Sequence, residues 1–240
     1  METAADASTS ALALGHALGF SHRSRLSNIY NHIVSAKVSK IAEADFPTRW
    51  GQFRIYGFEG QFPPAEGGSD RRKESVVALV MGNISTGAPL VRIHSQCLTG
   101  DVFGSLRCDC RQQLELAMQM ISDEGRGVLI YEQQEGRGIG LMAKLQAYAL
   151  QDEGLDTIEA NEKLGFKPDC REYNLPVEVL KALGLKQIKL LSNNPEKVAA
   201  VENGGIKVVE RVSAEVVPSE HAAKYVETKR DKMGHYFSTK

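Results

Sequence analysis

The stretch VLIYEQQEGRGIGLMAKLQAYALQD, residues 128–152, decides the fold. It begins with the short apolar run VLIYE, which is typical of a buried strand, passes through a glycine-rich turn and continues into a predicted helix. The same alternation recurs downstream, with helix PVEVLKALGL, strand QIKLLS, a helix within NNPEKVAAVENGG and the final strand IKVVERV. Helices and strands that alternate with short glycine-bearing connections predict an α/β layered sheet.

Upstream of this stretch, the pattern predicts neighbouring strands and one helix. FPTRWGQFRIYGFEG, residues 46–60, predicts a β-hairpin that turns at or near Trp50-Gly51, and the β-branched runs SVVALVMGNI and APLVRIHS predict further strands. The segment QQLELAMQMI predicts a helix, because one of its faces carries Leu114, Ala117, Met118 and Ile121.

The N-terminal residues differ in composition from the rest of the chain. Residues 1–20 are rich in Ala, Ser and Thr, and SNIYNHIVSAKVSKIAEA, residues 27–44, has apolar residues near helical spacing. We therefore expect an N-terminal extension over residues 1–45, partly flexible and with one amphipathic helix, followed by one catalytic domain over residues 46–240. The acidic residues Glu2 and Asp6 disfavour a secretory signal, although basic residues further on leave organelle import open.

Composition narrows the class of function. The chain has 240 residues and a formal net charge of −1, which gives no electrostatic indication of nucleic-acid or membrane-surface binding. No apolar run approaches the length of a transmembrane helix. Four cysteines in a chain without a secretory signal favour a reducing compartment, so we expect a cytoplasmic protein without disulfides.

Three of the four cysteines lie in CLTGDVFGSLRCDC, residues 97–110. Zinc prefers thiolate and imidazole ligands, and three protein ligands plus a water are typical of a catalytic zinc, whereas a fourth protein ligand closes a structural site. The reducing compartment expected above disfavours a disulfide among these thiols. The spacing leaves three possibilities open: a catalytic metal, a structural zinc closed by Cys170 or His94, or reduced thiols in the core.

Three further motifs are candidates for ligand binding or catalysis. Arg137 lies between two glycines at a strand-to-helix junction that favours an anion, although a tight turn with a solvated Arg has the same pattern. Asp169 and Arg171 in DCREY are two residues apart, as in an ordinary surface ion pair. SNNPEK, residues 192–197, follows a predicted strand where α/β sheets bind ligands, and it is also an ordinary capped helix start.

Taken together and in this order, the motifs RIHSQCLTGDVFGSLRCDCRQQLELA, EGRGIGL, AYALQD, DTIEANEKLGF, DCREY, LLSNNPEK and ETKRDKMGH strongly resemble GTP cyclohydrolase II. The resemblance covers residues 46 to 235 and implies a three-layer α/β/α fold with a mixed β-sheet. It implies zinc-dependent hydrolysis of GTP, in which the guanine ring opens at C8 to release formate and cleavage between the α- and β-phosphates releases pyrophosphate. The implied product is 2,5-diamino-6-ribosylamino-4(3H)-pyrimidinone 5′-phosphate, at the first step of riboflavin biosynthesis.

The resemblance also implies roles for individual residues. One zinc per chain would be held by Cys97, Cys108 and Cys110 with a water in the fourth position, and Mg²⁺ would accompany the triphosphate. The implied catalytic residues are Asp169 as proton acceptor, Arg171 on the phosphate side and Tyr148 near the zinc. The resemblance implies that Arg171 is the nucleophile that transiently takes the nucleotidyl group. Because a guanidinium stays protonated in proteins, we expect it instead to stabilise charge on the transferring phosphoryl group. The implied GTP contacts are Arg92, His94, Gln96, Gln113, Glu135, Gly136, Arg137, Thr157, Ser192 and Lys197. GTP would be the partner, with no nucleic acid or membrane, and the chain would form a homodimer.

Gln96 departs from the family pattern, which commonly has Glu at this position. A carboxylate can accept hydrogen bonds from both N1–H and the 2-amino group of guanine, whereas an amide has only one acceptor atom. Gln96 encourages one alternative, a diverged paralogue that acts on another nucleotide. A second alternative, of a different class, is a zinc-stabilised nucleotide-binding or regulatory protein without turnover. The joint presence of Tyr148, Asp169 and Arg171 favours the enzyme.

Overall fold

The structure, a computed structural model, describes residues 37–62 and 72–237. Its strands are β1 (Lys37–Thr48), β2 (Gly51–Phe62), β3 (Arg72–Met81), β4 (Leu90–Ser95), β5 (Gly127–Glu132), β6 (Gln187–Leu191) and β7 (Lys207–Val212). Its α-helices are α1 (Cys110–Glu124), α2 (Leu141–Asp152), α3 (Thr157–Lys163), α4 (Asn174–Ala182), α5 (Pro195–Asn203) and α6 (Ala223–Met233). Shorter helical turns cover Leu98–Val102, Glu135–Gly138 and Glu220–Ala222. None of the helices in the described ranges is long and apolar enough to cross a membrane.

The described strands form one seven-stranded sheet in the order β1-β2-β3-β5-β4-β6-β7. Strands β1, β2, β3 and β5 pair antiparallel, whereas β5, β4, β6 and β7 pair parallel. The predicted hairpin is confirmed, because β1 and β2 pair as far as Thr48 and Gly51 and the chain turns at Arg49-Trp50. The predicted α/β class with a mixed sheet is confirmed as well.

The amphipathic helix predicted for residues 27–44 is wrong over its second half. Residues 37–44 belong to β1, which pairs with β2 from Lys37 to Thr48 except for an irregularity between Lys40 and Ala42. Helical spacing of apolar residues is a weak signal, and the backbone hydrogen bonds that β2 offers, together with the β-branched Val38 and Ile41, favour a strand here. The first half of the predicted helix and the tail before it lie outside the described residues.

The core lies on both faces of the sheet. On one face, Ala117, Met118 and Ile121 of α1 pack with Leu129 of β5 in one buried cluster. On the other face, a second cluster joins α4 and α5 to the sheet through Val179, Leu180, Val201, Val128 and Ile130. Successive side chains of a strand point to opposite faces, so Leu90, Arg92 and His94 of β4 are directed to the α1 face.

The carboxyl ends of β4, β5 and β6 lie side by side at one edge of the sheet. Strand β5 lies on one side of β4, and β6, the next strand in the chain, lies on the other side of β4. The strand order therefore reverses its direction at β4. Open α/β sheets bind ligands in the crevice outside such strand ends. The predicted cysteine, EGRG and SNNPEK motifs each follow one of these three ends.

Candidate active site

The three thiols of the predicted metal site come together in space. The Sγ atoms of Cys97, Cys108 and Cys110 all lie within 4.8 Å of one another, and the first two are 3.7 Å apart. Zn–S bonds of about 2.3 Å in a tetrahedron set the sulfurs about 3.8 Å apart, whereas a disulfide requires about 2.05 Å. The donors therefore fit zinc. Among the described residues neither Cys170 nor His94 joins the group, which removes the structural zinc closed by either of them.

The electrostatics of the trio also suit a cation. Hydrogen bonds from the thiols of Cys108 and Cys110, helped by the ammonium of Lys144, lower the pKa of Cys97. The pKa of Cys110 is raised well above its usual range, because its hydrogen bonds to Cys108 and Cys97 and its burial stabilise the protonated form. Three thiolates at this spacing repel one another, so full ionisation of the trio calls for a bound metal ion.

Gly100 packs directly against the three cysteines of the thiol cluster. A Cβ atom at this position would lie 2.9 Å from Sγ of Cys108 and 3.1 Å from Sγ of Cys97, which is too close for any larger residue. The Leu98–Val102 turn can therefore approach the thiols only because residue 100 is glycine.

Lys144 on α2 contacts the metal site and was not predicted from sequence. Its Nζ donates to Sγ of Cys97 at 3.1 Å, to Oγ1 of Thr99 at 3.0 Å and to Oε1 of Glu135 at 2.6 Å. The hydroxyl of Thr99 lies 3.2 Å from that of Tyr148, which places the predicted catalytic tyrosine beside the cluster. Burial opposes the charge of Lys144, but Glu135 and Cys97 outweigh it and raise the pKa of the ammonium.

His94 is connected to the predicted metal site through Asp101. Its Nε2 is 3.1 Å from a carboxylate oxygen of Asp101, which also accepts from the hydroxyl of Tyr131 at 2.8 Å and from the backbone N–H of Cys97 at 3.0 Å. The rings of His94 and Tyr131 stack at 5.5 Å. Asp101 thus holds the backbone of a metal ligand, and neither Asp101 nor Tyr131 was predicted as a site residue.

A group of buried cations lies next to the thiols. Arg92 donates to the carbonyl of Leu191 at 3.0 Å and to Oε1 of Gln113 at 2.7 Å, and Lys197 donates to the carbonyl of Ile93 at 2.9 Å. Burial lowers the pKa of both groups. Nε of Arg92, Nδ1 of His94, and Nη1 and Nη2 of Arg137 are buried with no hydrogen-bond partner among the described residues. Buried N–H groups are normally satisfied, so those of Arg92 and Arg137 would suit an anionic ligand.

Arg137 takes a strained backbone conformation to reach this position. It is the one non-glycine residue of the described part of the chain with positive φ, at 60°, and it is buried between Gly136 and Gly138. Strain of this kind concentrates at functional sites. The structure therefore disfavours the alternative of a tight turn with a solvated arginine.

Asp169 and Arg171 form a bidentate ion pair whose side chains are only 10% and 13% exposed. Nε of Arg171 donates to both carboxylate oxygens at 2.9 and 3.1 Å, and a second contact runs from Nη2. Burial opposes ionisation of Asp169, yet the Arg171 guanidinium keeps the pKa of this carboxyl below its usual value. Burial likewise opposes the charge of Arg171, but Tyr173 and Asp169 raise its pKa. The pair is inside the protein, unlike the solvated surface pair that the sequence left open.

Two adjoining clefts collect the predicted residues. The thiol cleft is lined by the three cysteines together with Gln96, Glu135, Gly136, Tyr148 and Thr157. The cation cleft is lined by Arg92, His94, Gln113, Ser192 and Lys197. Ser95, Cys110, Arg137, Arg171 and Tyr225 line both. Asp169 lines neither cleft, but it forms an ion pair with Arg171, which lines both.

Helix α6, which carries most of the ETKRDKMGH motif, also contributes to the clefts, although none of its residues was predicted as a site residue. Tyr225, Lys229 and Met233 line the cation cleft with the nearby His235. Burial, and then the positive charges of Lys229, Arg171 and other cations, lower the pKa of His235 to about 3. The sequence did contain a signal for this contribution of α6. Tyr225, Lys229 and Met233 recur every four residues and therefore share one face of the helix. On α2, Lys144 and Tyr148 share a face in the same way.

Replacing Lys229 by Met is expected to lower the free energy of unfolding by about 3–5 kcal/mol, because it leaves a buried carboxylate without its cation. Nζ of Lys229 donates to Asp109 at 2.6 Å, and both side chains are at most 10% exposed. Although burial opposes ionisation, Lys229 lowers the pKa of Asp109. The pair therefore stabilises the fold at neutral pH, and its contribution is lost as the pH falls through this lowered pKa.

Urea unfolding at neutral pH measures the effect of Lys229→Met. The matched control is Lys181→Met, which breaks an exposed pair with Glu178 on α4 and should cost no more than about 1 kcal/mol. Equal stabilities for the two variants would contradict a structural role of the buried pair.

Comparison with known proteins is consistent with this geometry. A family model described as GTP cyclohydrolase II matches residues 39–213. A protein named GTP cyclohydrolase-2 from Actinobacillus succinogenes is 52% identical over 202 residues, which cover 84% of this chain and 89% of that protein. The riboflavin biosynthesis protein RibBA of Chlorobium phaeovibrioides is 50% identical over 205 residues. These residues are 85% of this chain but only 48% of RibBA, so the chain spans about half of that protein.

A solved structure also aligns with the chain. It is RibBX, a two-domain 3,4-dihydroxy-2-butanone 4-phosphate synthase from A. baumannii, with a TM-score of 0.46 and 19% identity. The alignment covers 78% of this chain and 44% of RibBX.

Proposed function

The chain belongs to the GTP cyclohydrolase II family, and on that premise we propose that it hydrolyses GTP at the first step of riboflavin biosynthesis. The guanine ring opens at C8 with release of formate, and cleavage between the α- and β-phosphates releases pyrophosphate. The product is 2,5-diamino-6-ribosylamino-4(3H)-pyrimidinone 5′-phosphate. The proposal includes a three-layer α/β/α catalytic domain, a homodimer and a cytoplasmic location. The domain was predicted over residues 46–240 and is extended back to Lys37, because residues 37–45 belong to strand β1 of its sheet.

One observation carries the proposal: a thiol cleft that fits zinc adjoins a cleft lined by buried cations. Of these cations, Arg92 and Arg137 keep N–H groups that have no hydrogen-bond partner among the described residues. GTP has the same two-part chemistry, a purine at one end and a triphosphate at the other. Arg137 and Arg171 line both clefts and so lie where a nucleotide would pass from one to the other.

The residues of the thiol cleft suit ring opening. Cys97, Cys108 and Cys110 would hold zinc, which when bound supplies a Lewis acid that lets water lose a proton near neutral pH. Tyr148 lines the same cleft, and burial raises the pKa of its phenol. The phenol therefore keeps its proton and can donate a hydrogen bond to the substrate or orient a water. Thr157, Glu135 and Gly136 complete the proposed contacts on this side.

The residues of the cation cleft suit the triphosphate. Arg92, Arg137 and Lys197 would neutralise phosphate oxygens, with Mg²⁺ assisting, and the unpartnered N–H groups of Arg137 would donate to them. His94, Gln113 and Ser192 line the same cleft and are proposed as further contacts. Charge-assisted hydrogen bonds to phosphate are strong, which would repay the burial of these groups' charges.

Asp169 and Arg171 are proposed to act on the phosphate side as a pair. Arg171 stays protonated, so it stabilises charge on the transferring phosphoryl group instead of attacking it. Asp169 holds the guanidinium in place and serves as the proton acceptor.

The test is incubation of the purified protein with GTP, Mg²⁺ and Zn²⁺, followed by assays of formate, pyrophosphate and the absorbance of the diaminopyrimidine. Formate and pyrophosphate in equal amounts are the expected result. Turnover of another nucleotide without formate from GTP would indicate a diverged paralogue. Tight GTP binding with no product would indicate a nucleotide-binding protein without turnover.

Replacing Gln96 by Glu is expected to lower the KM for GTP by about tenfold. Gln96 lines the thiol cleft, and a carboxylate there could accept from both N1–H and the 2-amino group of guanine. A hydrogen bond to a charged group contributes about 1.5–3 kcal/mol, and tenfold corresponds to about 1.4 kcal/mol.

Steady-state kinetics with GTP and ITP measure the effect of Gln96→Glu, since the hypoxanthine base of ITP lacks the 2-amino group. The gain should be larger for GTP than for ITP. Gln187→Glu, at the exposed amino end of β6, is the control and should leave both KM values unchanged. An unchanged or higher KM for GTP in Gln96→Glu would rule out contact of residue 96 with this edge of the base.

A further inference from the structure

Lys144 donates a hydrogen bond directly to a thiol of the proposed metal site, and neither its motif nor the family resemblance gave it a role. It is 9% exposed, and its Nζ has three acceptors within 3.1 Å: Sγ of Cys97, Oγ1 of Thr99 and Oε1 of Glu135. An ammonium has three N–H donors, so the side chain is fully satisfied within the protein. It therefore has no N–H left for a nucleotide.

Glu135 fixes the direction of Lys144. One of its carboxylate oxygens accepts from Lys144 and from the N–H of Gly136 at 2.9 Å, and the other accepts from the N–H of Leu98 at 2.6 Å. Leu98 directly follows Cys97, so Glu135 connects the EGRG turn, the ligand loop and the ammonium of α2. A buried lysine needs such a counter-ion.

We propose that Lys144 is a positioning residue for the metal: its ammonium donates a hydrogen bond to the Cys97 thiolate and so raises the Lewis acidity of a zinc ion held by the three cysteines. The inference rests on the proposed function only in placing a metal at Cys97, Cys108 and Cys110.

The chemistry follows from charge. Three thiolates around a divalent cation give a centre of net charge −1, and thiolates donate more electron density to zinc than imidazoles do. A charge-assisted hydrogen bond from an ammonium withdraws density from one thiolate and places a positive charge beside the centre. Groups that hydrogen-bond to metal ligands tune a site in this way, and their loss typically costs about 10- to 100-fold in metal affinity or activity.

The test uses full-length Lys144→Met, which keeps the length of the side chain and removes its charge and donors. The zinc affinity, measured by competition with a chelator in the absence of GTP, is expected to fall about 10- to 100-fold. In the cobalt(II)-substituted protein, the thiolate-to-cobalt charge-transfer band is expected to move to longer wavelength, because a thiolate without its hydrogen bond is easier to oxidise. The acidic limb of the pH profile for formate release should move to higher pH.

Two further variants keep the test decisive. Lys144→Arg retains a cationic donor and should restore the charge-transfer band toward the wild-type position. Lys163→Met, which removes an exposed lysine of α3, should change none of these quantities. The band is measured per bound cobalt, so partial misfolding of Lys144→Met does not obscure it.

An unchanged band and zinc affinity in Lys144→Met, together with a raised KM for GTP, would overturn the proposal and make Lys144 a substrate contact. The two metal measurements do not require GTP or turnover. If the wild-type protein failed to release formate from GTP, the proposed function would fail while these measurements still tested the role of Lys144.

Discussion

Formate release from GTP is expected to fall by about a thousandfold or more in Cys108→Ser, because the variant loses one of three metal ligands and with it the activation of water. A serine hydroxyl stays protonated near neutral pH and does not replace a thiolate. The Sγ atoms of Cys97 and Cys110 would remain, which are too few donors for a stable zinc site. Formate assays and the zinc content of the purified variant measure the two effects together.

The fourth cysteine provides a matched control for this substitution. The Sγ of Cys170 lies 3.8 Å from the carbonyl of Lys167, and Cys170 is outside the thiol group of the described residues. Cys170→Ser is therefore expected to keep its activity within about twofold and its zinc content unchanged. If Cys108→Ser unfolded while activity per folded molecule persisted, the metal would be structural and the proposed chemistry would be wrong.

Asp169→Asn is expected to lower kcat by about 10²- to 10⁴-fold, the range associated with loss of a positioned proton acceptor. The amide has almost the size of the carboxylate, but it accepts no proton, and it weakens the bidentate pair that orients Arg171. Formate and pyrophosphate should be measured separately, because Arg171 is placed on the phosphate side of the site.

Whether Asp169→Asn changes kcat or KM distinguishes the possible roles of Asp169. A rise in KM with unchanged kcat would show that the residue only helps to bind the substrate, contrary to the proposed acceptor role. Asp123→Asn, in the exposed last turn of α1, is the control for a change of charge and should leave both constants near their wild-type values.

The sequence by itself determined the family and most of the secondary structure. The motifs around Cys97, Cys108 and Cys110 predicted a metal site, and the spacing of Leu114, Ala117 and Ile121 predicted helix α1. These signals are local, because helix and strand periodicity and motif spacing depend on residues close in the chain. The same dependence explains the error over residues 37–44, where pairing with β2 outweighed helical spacing.

The tertiary structure alone excluded a structural zinc closed by Cys170 or His94 and a solvated Arg137, and it alone showed which further residues belong to the site. Packing brought Lys229 to Asp109, 120 residues away in sequence, and Lys144 to Cys97, 47 residues away. It also excluded Cys170 from the thiol group, and it left Nη1 and Nη2 of Arg137 buried with no hydrogen-bond partner in the part of the chain that the structure describes. Local patterns carry no information about such contacts, because they depend on how helices from distant parts of the chain pack at one edge of the sheet.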